Sequence, residues 1–146
     1  IETTRRYDML QWLMFQIGGV GPMFGQNGYF QGYCPKDVPL AKARYHRETL
    51  RLYGVMDKQL ANNRYLAGDD YSLADIATYP WTMPEQWRLH NVDIEQFPHV
   101  KRWNALVAAR PAVGRGSTLM AADQKTGDPT KEAYANMFGD KQYQPR

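Results

Sequence analysis

Apolar residues recur at helical spacing along most of the chain, and no stretch sustains the period-two alternation of β-branched residues that marks a strand. Met9, Trp12, Leu13 and Ile17 mark a first helix over residues 3–17. The run Gly18-Gly19-Val20-Gly21-Pro22 then predicts a kink or break, with a turn or two resuming over residues 23–27. Residues 28–39, punctuated by Gly32, Pro35 and Pro39, read as a loop. The clearest helix spans residues 39–62, with Pro39 suited to its first turn. Tyr45, Thr49, Leu52, Met56 and Leu60 form its buried stripe, and Arg44, Arg47, Arg51 and Lys58 lie about 100° around it.

Residues 62–70 read as a second loop. A third helix begins at Ser72 and is kinked or ended by Pro80 and Pro84. A fourth covers residues 97–109, buries Val100, Trp103, Leu106 and Val107, and is stopped by Pro111. A short fifth helix is expected over residues 112–120. From Ala122 the chain turns polar and is broken by Gly127, Pro129, Gly139 and Pro145, so residues 1–121 read as one helical domain and 122–146 as a tail. Tyr134, Met137, Phe138 and Tyr143 favour partial draping of that tail over the body. The expected fold class is all-α, a bundle of about five to six helices.

Composition narrows the function. A 146-residue chain that is 43% hydrophobic can fill a core, which excludes global disorder. No apolar run is long enough to span a membrane. The single cysteine, Cys34, excludes an intramolecular disulfide and a cysteine-rich zinc cluster. The net charge of +3 is too small to argue for nucleic acid, and a nucleic-acid complex formed through the arginine stripe would weaken steeply with salt. His46, His90 and His99 show no ligand spacing, and no metal is expected.

Three local patterns carry chemistry. In Tyr71-Ser72-Leu73-Ala74-Asp75-Ile76, Ser72 fits an N-cap accepting from the Asp75 amide while Asp75 reaches back to the Ser72 amide, and Tyr71 and Ile76 are placed as a hydrophobic staple. That cap accounts for Ser72 and Asp75 without a catalytic role. Arg44, next to the buried Tyr45, sits where a pocket wall meets the core, and its guanidinium matches a carboxylate. Between residues 11 and 27, Gln11, Gln16, Gln26 and Asn27 interleave with Trp12, Met14, Phe15, Met23 and Phe24, as amides do in a small-molecule pocket or an interface.

These motifs resemble the C-terminal helical domain of cytosolic glutathione transferases over residues 3–120. Tyr71-Ser72-Leu73-Ala74-Asp75-Ile76-Ala77 is similar to the element opening that family's central helix, and the run from Leu10 to Asn27 resembles its nu-class, disulfide-bond oxidoreductase branch. Ala43-Arg44-Tyr45, Pro98-His99-Val100-Lys101-Arg102-Trp103 and Ala109-Arg110-Pro111-Ala112-Val113 agree with it. The resemblance implies a cytoplasmic homodimer that uses glutathione as cosubstrate, without metal, to act on a small disulfide or electrophile. It implies that Arg44 pairs with a glutathione carboxylate and that Gln11 reaches glutathione across the dimer interface. Asn27, Met14, Phe15, Met23 and Tyr29 would line the second-substrate pocket. The family's thioredoxin-like N-terminal domain is missing from these residues, so a longer parent beginning upstream of Ile1 is expected, with the catalytic thiol supplied by glutathione. The alternative is a noncatalytic scaffold or protein-interaction domain of the same fold.

Overall fold

The computed structural model describes residues 3–119 and 129–143. The chain divides into two compact units, Ile1–Gly114 and Arg115–Arg146. The first holds α1 (Thr3–Phe15), α2 (Gly21–Gly28), α3 (Pro39–Leu60), α4 (Leu73–Thr78), α5 (Pro84–Leu89) and α6 (Pro98–Ala108), with 3₁₀ turns at Tyr79–Thr82 and Ile94–Gln96. The helix α7 (Pro111–Thr118) runs across the division. No named strand occurs among the described residues; a single bridge pairs Tyr65 with Gly68, whose φ of 116° favours glycine.

The expected break at Gly18–Pro22 does not occur. The helix passes through a π-helical segment, Gln16–Val20, closed by the Gly21 N–H donating to the Gln16 carbonyl, and continues straight into α2. Pro22 has no N–H to give, and the widened turn lets the chain carry it without stopping. A second π segment, Tyr29–Tyr33, ends with Cys34 N–H donating to Tyr29 O at 2.8 Å. The predicted loop over residues 28–39 therefore shrinks to the stretch after Tyr33. The glycines serve close approach rather than rupture: a Cβ on Gly32 would lie 2.8 Å from Leu89 Cδ1, and one on Gly28 would lie 3.3 Å from Leu89 Cδ2.

The core is built as the stripes predict. Thr49, Leu52, Met56 and Leu60 of α3 are buried, while Tyr45 is half-buried. From α6, Val100, Trp103 and Val107 are buried and Leu106 is half-buried. Trp12, Val20 and Phe24 complete the centre. The ends of α3 and α6 finish each other. Asp57 Oδ1 accepts from the His99 and Val100 amides at 2.8 and 3.0 Å, supplying the cap that Phe97 lacks. Arg102 returns the favour by donating to the Leu60 and Asn63 carbonyls at 2.8 and 2.9 Å.

At α4 the capping box of Ser72 and Asp75 is present, and Ser72 Oγ also accepts from Ala74 N at 3.3 Å. Asp75 is wholly buried and accepts from Ser72 N (2.9 Å), Leu66 N (3.0 Å) and Trp103 Nε1 (2.8 Å). Tyr71 meets the Tyr65 ring and lies under the Arg110 guanidinium at 3.7 Å, whereas Ile76, its expected staple, is half exposed.

In the second unit, α8 (Lys131–Phe138) stands where the sequence suggested only a tail. Thr130 Oγ1 caps it by accepting from Ala133 N at 3.1 Å. Met120, Ala122, Gly127 and Pro145, which figured in the reading of the fifth helix and the tail, lie outside the described residues.

Candidate functional site

The sequence-predicted site residues fall into two groups at opposite ends of α3. Arg44 stands on its second turn, exposed, with no ion-pair partner within 4 Å among the described residues. Farther along the stripe, Arg51 is spent on Glu48 through a two-point contact of 2.9 and 2.7 Å. That hydrogen bond, more than the charges of Arg51 and Arg44, holds the Glu48 carboxyl below the usual range. Arg44 thus keeps its guanidinium free for an external carboxylate.

The next residue, Tyr45, belongs to an aromatic ledge. Tyr45 stacks on Phe30 with centroids 5.4 Å apart and planes at 9°, and Tyr29 meets Phe30 edge-on at 5.1 Å. The second π segment carries Tyr29 and Phe30, so the geometry missed at sequence level is what brings these rings to α3. Met23 is half-buried against the core, Phe15 packs edge-on to Trp12 at 5.2 Å, and Met14 is 53% exposed.

Asn27 departs from its expected place in the pocket lining. It is fully buried, and its amide donates to the His90 carbonyl at 3.1 Å, tying α2 to the end of α5. Its polar group is consumed by the fold.

Gln11 lies elsewhere. It lines a recess of about 290 Å³ with Asp8, Trp12, Gln59, Asn63 and Gly68. Gln59 is fifteen residues beyond Arg44 on α3, an axial offset of about 22 Å. A fully extended tripeptide reaches only about 11 Å. Gln11 and Arg44 therefore stand well apart along α3. Two further recesses, of about 410 Å³ beside Arg5, Met9 and Tyr71 and about 550 Å³ beside Trp87 and Ile94, contain none of the predicted ligand-binding residues. No helix among the described residues is long and apolar enough to cross a membrane, and no group of three or more His, Cys, Asp or Glu gathers there.

His90 underlies the Arg44 end. Burial pushes its ring down from 6.5 to about 4, against a smaller opposing bond to the Phe24 backbone. The folded value is depressed, so the stability from keeping this ring neutral is complete above pH 6.5 and is lost as pH falls toward 4. Urea unfolding followed from pH 7 to 4 is expected to show a loss approaching roughly 3 kcal/mol from this ring, absent from a His90→Gln variant once the carboxylate contribution common to both is subtracted.

The comparisons with known proteins agree with the helical fold. The family profile for the glutathione S-transferase C-terminal domain matches residues 28–111. The chain is 45% identical over 114 residues to the disulfide-bond oxidoreductase YfcG of Escherichia coli, covering 78% of this chain and 52% of that protein. A glutathione transferase from Burkholderia graminis, solved with two glutathione molecules bound per subunit, superimposes with a TM-score of 0.70 at 43% identity, over 77% of this chain and 49% of that one. The transferase URE2P6 of Phanerochaete chrysosporium, in complex with oxidized glutathione, gives 0.76 at 31% identity, over 85% and 57%. The chain spans about half the length of these relatives.

Proposed function

Because this chain belongs to the glutathione S-transferase family through its C-terminal domain, we propose that it forms the helical half of a glutathione-dependent disulfide oxidoreductase. The observation that carries the reading is the unpaired Arg44 guanidinium, next in sequence to Tyr45 of the Phe30–Tyr45 ledge, in a chain 45% identical to a disulfide-bond oxidoreductase. Arg44 binds a glutathione carboxylate and, by its charge, favours the anionic form of the bound tripeptide. Met23 and Tyr29, at the Arg44 end, line the place of the second substrate, a small disulfide or electrophile, while Met14 and Phe15 stand with Gln11 at the other end. The chemistry itself is thiol–disulfide exchange: the glutathione thiolate attacks one sulfur of the substrate disulfide, and the other sulfur leaves as thiolate.

The working unit is a cytoplasmic homodimer whose thioredoxin-like N-terminal domain completes the glutathione site. The offset between Gln11 and Arg44 supports that assembly, since Gln11 then serves the glutathione of the partner subunit. Exposed Tyr7, Met14 and Ile17 follow one another along α1 and the π segment and supply an apolar strip for the second copy.

The test is reduction of bis(2-hydroxyethyl) disulfide by glutathione, using the full natural protein and its Cys34→Ser variant. Both are expected to turn over within twofold of each other, because the nucleophile is the ligand's thiol. A tenfold loss in Cys34→Ser would overturn that assignment, and no glutathione-dependent turnover in either would point to the scaffold alternative.

A further inference from the structure

Three charged residues share one face of α3. Arg44, Glu48 and Arg51 stand at i, i+4 and i+7 of an unbroken helix, so each is a surface neighbour of the next. Arg51 gives each Glu48 oxygen one hydrogen bond, at 2.9 and 2.7 Å. That bond, and after it the charges of Arg51 and Arg44, keep the Glu48 carboxyl ionised below its usual range. Arg44 is thus near enough for Glu48 to feel its charge, yet no Glu48 oxygen lies within 4 Å of the Arg44 guanidinium. The two opposite charges are neighbours that do not close on each other.

Position around the helix gives this pair a direction. At about 100° per residue, Glu48 lies about 40° from Arg44 toward Tyr45, which is about 100° away. Arg47 lies about 60° the other way. The side of Arg44 that leads to the ledge therefore carries an anion, and the next free cation is on the far side. Glu48 has capacity left. A carboxylate offers about four acceptor positions, and Arg51 fills one on each oxygen. The Glu48 side chain keeps 20% of its surface in solvent. A lone carboxylate needs only Arg44. An adjacent anion with open acceptor positions suits a ligand whose carboxylate has a cationic donor beside it. An α-amino acid has that form, with its ammonium nitrogen and carboxylate carbon on one atom and about 2.5 Å apart. Glutathione presents it at the γ-glutamyl end; the glycine end has a carboxylate and no ammonium.

We propose that Arg44 and Glu48 form a clamp for an α-amino-acid head, which in glutathione is the γ-glutamyl end. Arg44 takes the carboxylate and Glu48 accepts from the ammonium. The assignment rests on the glutathione reading of Arg44 and adds the direction in which the peptide lies.

Calorimetric titration of the full natural protein with glutathione and with N-acetylglutathione, whose amide nitrogen carries no charge, tests the clamp. Glu48→Gln/Arg51→Gln removes the anion and leaves the local net charge unchanged, while Arg51→Gln alone keeps the anion. The pair lies at the surface, so both variants are expected to fold. The parent's preference for glutathione over the acetylated peptide is expected to fall about tenfold in the double variant and to persist in Arg51→Gln. A fall of less than threefold in the double variant, or an equal fall in Arg51→Gln, overturns the clamp. Arg44→Ala separates the two readings. If it weakens glutathione binding while the preference survives in the double variant, the reading of Arg44 stands and the clamp alone fails; if it leaves glutathione affinity unchanged, both fail.

Discussion

Replacing Asp75 by alanine is expected to lower the unfolding free energy by about 4 kcal/mol, the largest single-residue stability effect foreseen for this chain. The carboxylate is buried and accepts from two backbone amides, Ser72 and Leu66, and from the Trp103 indole. Loss of the cap alone costs about 1 kcal/mol. The remainder comes from the Leu66 amide and the Trp103 indole, which the variant leaves buried and unbonded at about 1–3 kcal/mol each. A shift of the urea midpoint at constant slope would register the loss. Asp75→Ser, which keeps an acceptor, is expected to recover part of it. A loss below about 1 kcal/mol in Asp75→Ala would show that Asp75 acts only as a helix cap.

The second large effect is on binding. In the full natural protein, Arg44→Ala is expected to weaken glutathione affinity by about tenfold to a hundredfold, the range for a charge-assisted bond of about 1.5–3 kcal/mol. Stability should move by less than about 0.5 kcal/mol, because Arg44 is exposed and holds no ion pair in the fold. Arg51→Ala is the control. It breaks the Glu48 pair and should leave affinity within about threefold, since that guanidinium is already engaged. Calorimetric titration with glutathione separates the cases, and equal affinity for Arg44→Ala and the parent would remove Arg44 from the site.

Much of the fold was legible because its signals are local. The stripe from Thr49 to Leu60, the box at Ser72 and Asp75, and the Pro98 start of α6 each need only a few neighbouring residues to be read. The errors share a cause. Gly18–Pro22 and Gly28–Gly32 look like breaks by propensity, yet Trp81, Leu89 and His90 press against Gly21, Gly28 and Gly32, and that tertiary contact outweighs the local cost of glycine. Asn27 looked like a pocket amide because its spacing along α2 cannot reveal that His90, 63 positions later, consumes it. Arg44 was legible as an edge residue beside Tyr45. The ledge that Tyr45 joins was not, since it depends on a π segment that no sequence periodicity announces.

The paired ends of α3 and α6 bear on how the first unit comes together. Asp57 and His99 are 42 positions apart, as are Leu60 and Arg102. Neither helix has a finished terminus until the intervening chain has closed on itself, and that closure carries an entropic cost before either bond is gained. Two such seals at one junction make the ends of both helices rise and fall together. The unit is therefore built to fold as one cooperative step, with these two latches set late and released only when the whole is released.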